Sequence, residues 1–485
     1  MKQSSLEETL TAIVGSSHLL TRSSDLSAFE QDTWQRYRGK AAFVARPGST
    51  QQVADILHAA ARHGASVVPQ GGNTGLVAGG IPDSSGREIV LSLSRMNRIR
   101  TVEPLGEFAV AEAGVVLADL QKAAENVGRF FPLSLGAEGS CQIGGNIATN
   151  AGGLNVVRYG MMRGLVLGLE VVLPDGTIWN GLRSVRKDNT GYDLKQLFIG
   201  SEGTLGIVTA ASLKLMPPQR ERQTIWMSVP ALDHALQLFE RFRVHFGDII
   251  SSFELLHSNG VELAVAHLVN CRRPVEAPHP WHVLIELAWA LPSGLRDHAE
   301  RLLEDLFETG IATDGSIAES EAQRLNMWKV REGQSEAARS RGVVLRSDVS
   351  VSIELIPTLL AAVEKWVDSQ ESEIIFMPFG HIGDGNIHCN CVVAERQAPD
   401  IEPRFLAFLF QQVSTLGGSI SAEHGVGRLK TDAVWMRKPQ IEWLLSRAVK
   451  DLLDPSSTLN PGVIFGKPGT SQSSSLANGD RAKVL

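Results

Sequence analysis

Three glycine-rich segments set the strongest limit on what this chain can fold into. They are Gly71-Gly72-Asn73-Thr74-Gly75, the run from Gly136 to Gly153, and Gly200-Ser201-Glu202-Gly203-Thr204-Leu205-Gly206. Glycine has no Cβ, so backbone there can approach a ligand and present its N–H groups, as a pyrophosphate requires. One such loop reads equally well as a turn. Three between Gly71 and Gly206 point to backbone wrapped around an extended ligand. None has the GxGxxG spacing of a Rossmann dinucleotide unit.

Around these loops the pattern alternates strand and helix. Residues 42–45 read as a strand stopped by Pro47-Gly48. Ser49 caps a helix over 51–63, with Val53, Ile56, Leu57 and Ala60 at helical spacing, and Val67-Val68 is a strand entering the first loop. Further strands are expected at 89–92, 108–114, 168–173 and 206–215, and helices at 6–20 and 117–128. Beyond Pro217-Pro218 the glycine loops stop. Helices are expected there at 231–246, 295–309, 318–341, 354–369 and 438–453, and strands at 283–288 and 374–379. A chain of 485 residues needs more than one core. The expected division is 1–219, 220–420 and 421–466, with a disordered tail over 467–485.

A net charge of -7 gives no basic field for nucleic acid or anionic membrane. No run nears the roughly 18 apolar residues that span a bilayer. The start is polar and acidic (Ser4, Ser5, Glu7, Glu8), unlike a signal peptide, so the expected location is cytoplasmic. Cys141, Cys271, Cys389 and Cys391 suggest structural thiols rather than a disulfide framework.

A second constellation lies near the C-terminus. Asp384-Gly385 is a preferred two-residue hairpin turn. Centred there, a hairpin sets His381 opposite His388, on one face, with Asn390 two residues along. Downstream, Ser421-Ala422-Glu423-His424-Gly425 points Glu423 and His424 to opposite sides if extended. Two imidazoles, a carboxylate and a vacant position describe a catalytic zinc site; manganese or iron fits the same donors. Trp328-Lys329-Val330-Arg331-Glu332 leads a helix and, by spacing alone, reads as a solvated face.

Residues 69–80, 132–160 and 188–208 resemble the FAD domain of vanillyl-alcohol-oxidase-type flavoproteins. The similarity runs from about residue 28 to 466 and is strongest to the D-2-hydroxyglutarate and D-lactate dehydrogenase subgroup. It implies an α+β fold: a two-subdomain FAD-binding domain, an α/β substrate (cap) domain and a C-terminal helical segment completing the active site. It implies that Gly71, Gly72, Asn73, Thr74, Gly75 and Leu76 hold the pyrophosphate. Pro132, Gly136, Ala137, Ser140, Gly144, Gly145, Asn146, Thr149, Asn150, Gly153, Glu202, Gly203, Gly206, Ile207, Val208 and Asn460 would line the rest of FAD. Some relatives attach flavin to a histidine where Asn73 stands, so FAD is expected to be non-covalent.

The same resemblance implies His381, His388 and Glu423 as metal ligands and His424 as catalytic base. Arg331 would bind the substrate carboxylate, with Asn390 nearby. Ser335 and Arg346 fall where D-2-hydroxyglutarate enzymes carry threonine and lysine near the substrate. The implied reaction is oxidation of a D-2-hydroxy acid by hydride transfer to flavin. D-2-hydroxyglutarate leads; D-lactate, or another short or larger D-2-hydroxy acid, is the alternative. Electron-transfer flavoprotein, quinone or a cytochrome are the candidate acceptors, and the second domain offers a surface for a homodimer.

Overall fold

The helix Thr50–His63 is capped at both ends: the Ser49 side chain accepts from Gln52 N, and Gly64 turns left-handed at φ 65°. Its apolar face, including Val53, Ile56, Leu57 and Ala60, packs on a four-stranded sheet. The strand order is Leu19–Leu20, Ala41–Ala45, Glu88–Ser92, Val67–Gln70. The last three run parallel, which needs a crossover such as this helix. Glu88–Ser92 lies between the two strands that flank the helix, so these are not neighbours. The computed structural model describes residues 2–276 and 279–466; the expected disordered tail, 467–485, lies outside the described residues.

A five-stranded antiparallel sheet follows, in the order Ile99–Glu103, Phe108–Glu112, Ile207–Lys214, Val166–Val172, Ile178–Gly181. Leu117 and Leu120 of the helix Leu117–Glu125, and Ile143 and Ile147 of the helix Ile143–Ala148, pack with it around Phe131 and Leu169.

Past Pro217-Pro218 the chain builds a seven-stranded sheet whose neighbours all run antiparallel. Its centre is Glu221–Val229, Trp281–Trp289 and Ile250–His257, continued by Phe379–His381 and Asn386–His388. The helices Leu232–Phe246, Leu295–Glu308, Ile356–Asp368 and Ala398–Thr415 contribute to its core. The last of these is not among the expected helices, and its Pro399 and Pro403 are poor helix formers. Pro399 sits in the first turn, where no N–H is needed, and Phe405, Leu409 and Val413 bury one face.

Three expected elements are divided. The helix over 6–20 is Lys2–Val14, followed by the 3-10 turn Ser16–His18 and the strand Leu19–Leu20, parted at Gly15. The helix over 318–341 is Glu321–Glu332 and Gln334–Ala338, parted at Gly333. The strand over 374–379 is Ile375–Phe376 and Phe379–His381, in different sheets. Pro378 between them has no N–H for a ladder, so the chain changes sheet there.

The C-terminal segment is fastened to the first half by buried polar groups. Lys450 Nζ donates to Thr204 O at 2.7 Å and Leu459 O at 3.0 Å, and pairs with Asp454.

Candidate active site

The histidine hairpin turns differently from the sequence expectation. His381 lies opposite Asn386, Gly380 opposite Ile387 and Phe379 opposite His388. Residues 382–384 form a 3-10 turn closed by Gly385 at φ 85°, so four residues connect the strands instead of two. The direct pairing of His381 with His388 is thereby corrected. A register change of two preserves the face, and the ring centroids are 5.8 Å apart. Asn390 is off the strand, and its Oδ1 accepts Ser347 N–H at 3.1 Å.

Both imidazoles are hydrogen-bonded through Nδ1. His381 Nδ1 is 2.6 Å from Glu254 Oε1, and its Nε2 is 3.6 Å from Glu423 Oε1. His388 Nδ1 is 3.2 Å from Ser347 O. One ligand atom each from His381, His388 and Glu423 lie within 4.8 Å of one another. This donor set fits a divalent metal, and the carboxylate behind His381 is the partner that orients a ligating histidine. Burial pushes the His388 ring down to about 4, which keeps it neutral. Burial also opposes charge on His381, but the Glu254 carboxylate outweighs it and lifts the ring to about 9.

Glu254 was not singled out from sequence. The available signal was one carboxylate within the apolar strand Ile250–His257. It is fully buried, and its second oxygen, Oε2, pairs with Arg331 Nε at 2.6 Å. Burial raises its pKa, yet the charges of His381 and Arg331 prevail and hold it at about 2. Arg331 is 6% exposed and lies over the Phe379 ring at 4.7 Å, so the solvated-face reading does not hold. Nε is spent on Glu254, and the terminal NH2 groups remain for a ligand.

Asp348 is the second residue without a role in the sequence reading. It is buried beneath the Glu423-His424 turn and accepts both backbone N–H groups, at 3.1 Å and 2.9 Å. Its Oδ2 is also 3.5 Å from His424 Nδ1 and 3.8 Å from Lys430 Nζ. Burial pushes this acid up, but His424 and Lys430 outweigh it and hold it well below the usual carboxylate range. Burial lowers the His424 pKa. The rings of His388 and His424 stack at 6.2 Å. Asp348, Glu423 and His424 form a second set with ligand atoms within 4.8 Å, overlapping the first at Glu423. Ser335 is half-buried on Gln334–Ala338, and Arg346 lies over the Trp34 ring.

The glycine segments close on one another. A Cβ on Gly72 would stand 2.1 Å from Ser140 O, one on Gly144 2.6 Å from Ala113 Cβ, and one on Gly153 2.0 Å from Ser134 O. At Gly75, Gly136, Gly139 and Gly145 a Cβ would meet none of the described residues within 4 Å, so bare backbone borders open space. Among the described residues, the buried acceptors Gln142 Oε1 and Asn460 Oδ1 have no hydrogen-bond partner. A bare backbone cradle with orphaned acceptors fits FAD.

Several expected FAD side chains brace the cradle. Glu202 accepts Val426 and Gly427 N–H, both at 2.8 Å. Asn460 Nδ2 donates to Gly79 O and Glu202 O, Asn150 Oδ1 accepts Arg163 N–H, and Asn73 Nδ2 donates to Gln31 O. Glu423 Oε1 accepts Gly153 N–H at 2.9 Å, which joins the cradle to the histidine cluster.

A glycine-lined cradle meeting a buried histidine–carboxylate cluster is what an FAD-dependent oxidoreductase requires, and the comparisons with known proteins give that class. The chain belongs to the FAD-linked oxidase family: residues 41–181 match the model of its FAD binding domain, and residues 218–464 match the FAD linked oxidases, C-terminal domain. It is 39% identical over 444 residues to bovine mitochondrial D-2-hydroxyglutarate dehydrogenase, spanning 91% of this chain and 80% of that one. It is 39% identical over 455 residues to a Schizosaccharomyces pombe protein assigned as a mitochondrial D-lactate dehydrogenase, spanning 91% and 85%. The fold matches p-cresol methylhydroxylase with a TM-score of 0.72 at 16% identity, over 96% of this chain and 97% of that one. The cytoplasmic expectation is corrected here, because relatives this similar are named mitochondrial.

Proposed function

We propose that this chain oxidises a D-2-hydroxy acid to the 2-oxo acid, with D-2-hydroxyglutarate the leading substrate. The observation that carries this reading is the convergence of His424, the His381–His388–Glu423 set and Arg331 beside the flavin cradle. The names of the bovine and yeast relatives support the substrate class.

FAD bound non-covalently in the cradle supplies a two-electron acceptor, and a divalent ion at His381, His388 and Glu423, zinc or else manganese or iron, supplies a Lewis acid. Burial keeps His424 neutral near pH 7, so it can serve as a base. Asp348 faces its Nδ1, which leaves Nε2 to take the hydroxyl proton. The terminal nitrogens of Arg331 hold the substrate carboxylate, while Glu254 fixes the guanidinium from behind. The burial of Arg331 and His381 keeps bulk water from these contacts.

D-lactate is the second reading, supported by the name of the fission-yeast relative. A second cation, Arg346, favours a dicarboxylate. A panel of D- and L-2-hydroxy acids, assayed on purified holoprotein with a dye acceptor, tests the assignment. Clear preference for L-acids overturns it. His424→Ala should keep its flavin and lose at least about 100-fold in kcat.

A further inference from the structure

The loop from Gln31 to Arg38 touches the glycine cradle, the cap and His424 at once. An antiparallel bridge joins Gln31 to Arg38. The buried Asp32 shapes the tip by accepting Trp34 N–H at 3.2 Å and Tyr37 N–H at 2.6 Å. Thr33 Oγ1 donates to Asn73 O at 2.9 Å, which ties the loop to the first glycine segment. Arg36 pairs with Glu402 on the helix Ala398–Thr415 at 3.2 Å, which ties it to the cap. Both sides of the site therefore hold the tip in place.

At that tip stands Trp34. Its ring meets His424 edge to face, with centroids 6.1 Å apart and planes at 84°. The Arg346 guanidinium carbon lies 4.7 Å from the Trp34 centroid. Arg346 is thus no further from the His424 ring than these two spacings together allow. Arg346 is half-buried, and among the described residues no carboxylate forms an ion pair with it. A partly desolvated cation without an anion is costly, and an incoming carboxylate relieves that cost. Stacking occupies the face of a guanidinium and leaves its N–H edge free for bidentate binding.

We propose that Trp34 is a positioning residue for the substrate: its indole holds Arg346 flat beside His424, so that the free N–H edge receives the second carboxylate of a 2-hydroxydicarboxylic acid. The inference rests on the reading of the site as a D-2-hydroxy acid dehydrogenase. On this view the N-terminal loop, outside every glycine and histidine motif, contributes to substrate selection.

The test compares holoenzyme variants on D-2-hydroxyglutarate and on D-2-hydroxypentanoate, which has the same chain length without the second carboxylate. Trp34→Ala should raise KM for the dicarboxylate about tenfold, as expected for loss of a desolvated cation–π contact, and change KM for the monocarboxylate little. Trp34→Phe should restore most of the difference. Glutarate affinity by calorimetry should fall in parallel. Arg346→Gln should abolish the preference, and adding Trp34→Ala to it should cost nothing further. Equal losses on both acids, or additive effects in the double variant, overturn the inference and leave the dehydrogenase reading intact. Wild-type preference for the monocarboxylate does the same. Turnover of neither acid by wild type ends both.

Discussion

Asp348 and His424 form a pair in which one carboxylate holds both the backbone and the ring of a histidine. Asp348 Oδ2 accepts His424 N–H at 2.9 Å and stands 3.5 Å from Nδ1. Asparagine at this position can still accept the backbone bond but loses the charge that orients and stabilises the imidazolium. Asp348→Asn should therefore lower kcat by about 100-fold and leave flavin content unchanged. Steady-state kinetics with an absorption spectrum checks this; a kcat within twofold of wild type removes Asp348 from the mechanism.

A divalent metal at His381, His388 and Glu423 should be needed for turnover. Prolonged EDTA treatment is expected to abolish activity, and added zinc to restore it. Glu254→Gln should weaken metal binding by about 10- to 100-fold, because His381 loses the carboxylate behind it. Competition with a chelating dye measures this. Full activity in protein shown by elemental analysis to be metal-free would refute the metal role.

Gly72→Ala should empty the flavin cradle. The added methyl would stand 2.1 Å from Ser140 O, a backbone atom, so two segments of the cradle must part. The flavin-to-protein absorbance ratio should drop well below that of wild type. A variant that purifies as yellow as wild type would place FAD away from this contact.

Acid should destabilise the cap through His282. Burial, aided by the charge of His279, pushes His282 down from 6.5 to about 3. Its ring instead accepts Trp226 Nε1–H at 3.2 Å and lies 3.0 Å from Ser228 Oγ. The unfolded chain takes up a proton below about pH 6.5 that the folded chain refuses. The contribution of a neutral His282 is therefore complete above pH 6.5 and declines as pH falls toward about 3. Tm should fall below pH 6.5, and less steeply in His282→Gln. Parallel Tm profiles for the two proteins would exclude this histidine as the cause.

Much of this was open to reading in the sequence. Capping, helical spacing and the proline pair located Thr50–His63 and the change of sheet after Pro218. The histidine hairpin was legible as a hairpin but not in its register. A four-residue connection competes with the Asp384-Gly385 turn, and packing decides between them. Ala398–Thr415 was hidden because two prolines outweigh a helical pattern when only local propensity is considered.

Glu254 and Asp348 were invisible for a different reason. A carboxylate acquires a role from what it touches, and their partners lie 127 and 76 positions away. The glycine loops and the His381-to-His388 and Glu423-His424 motifs announce themselves because glycine conformation and histidine donors are local properties. From those alone the chain already declared a cofactor cradle and a donor set. Tertiary structure decided which nitrogen of each histidine is free, that Arg331 is buried against Glu254, and that the loop bearing Trp34 stands at the site. Those facts depend on burial and on contacts between distant segments, which only packing creates.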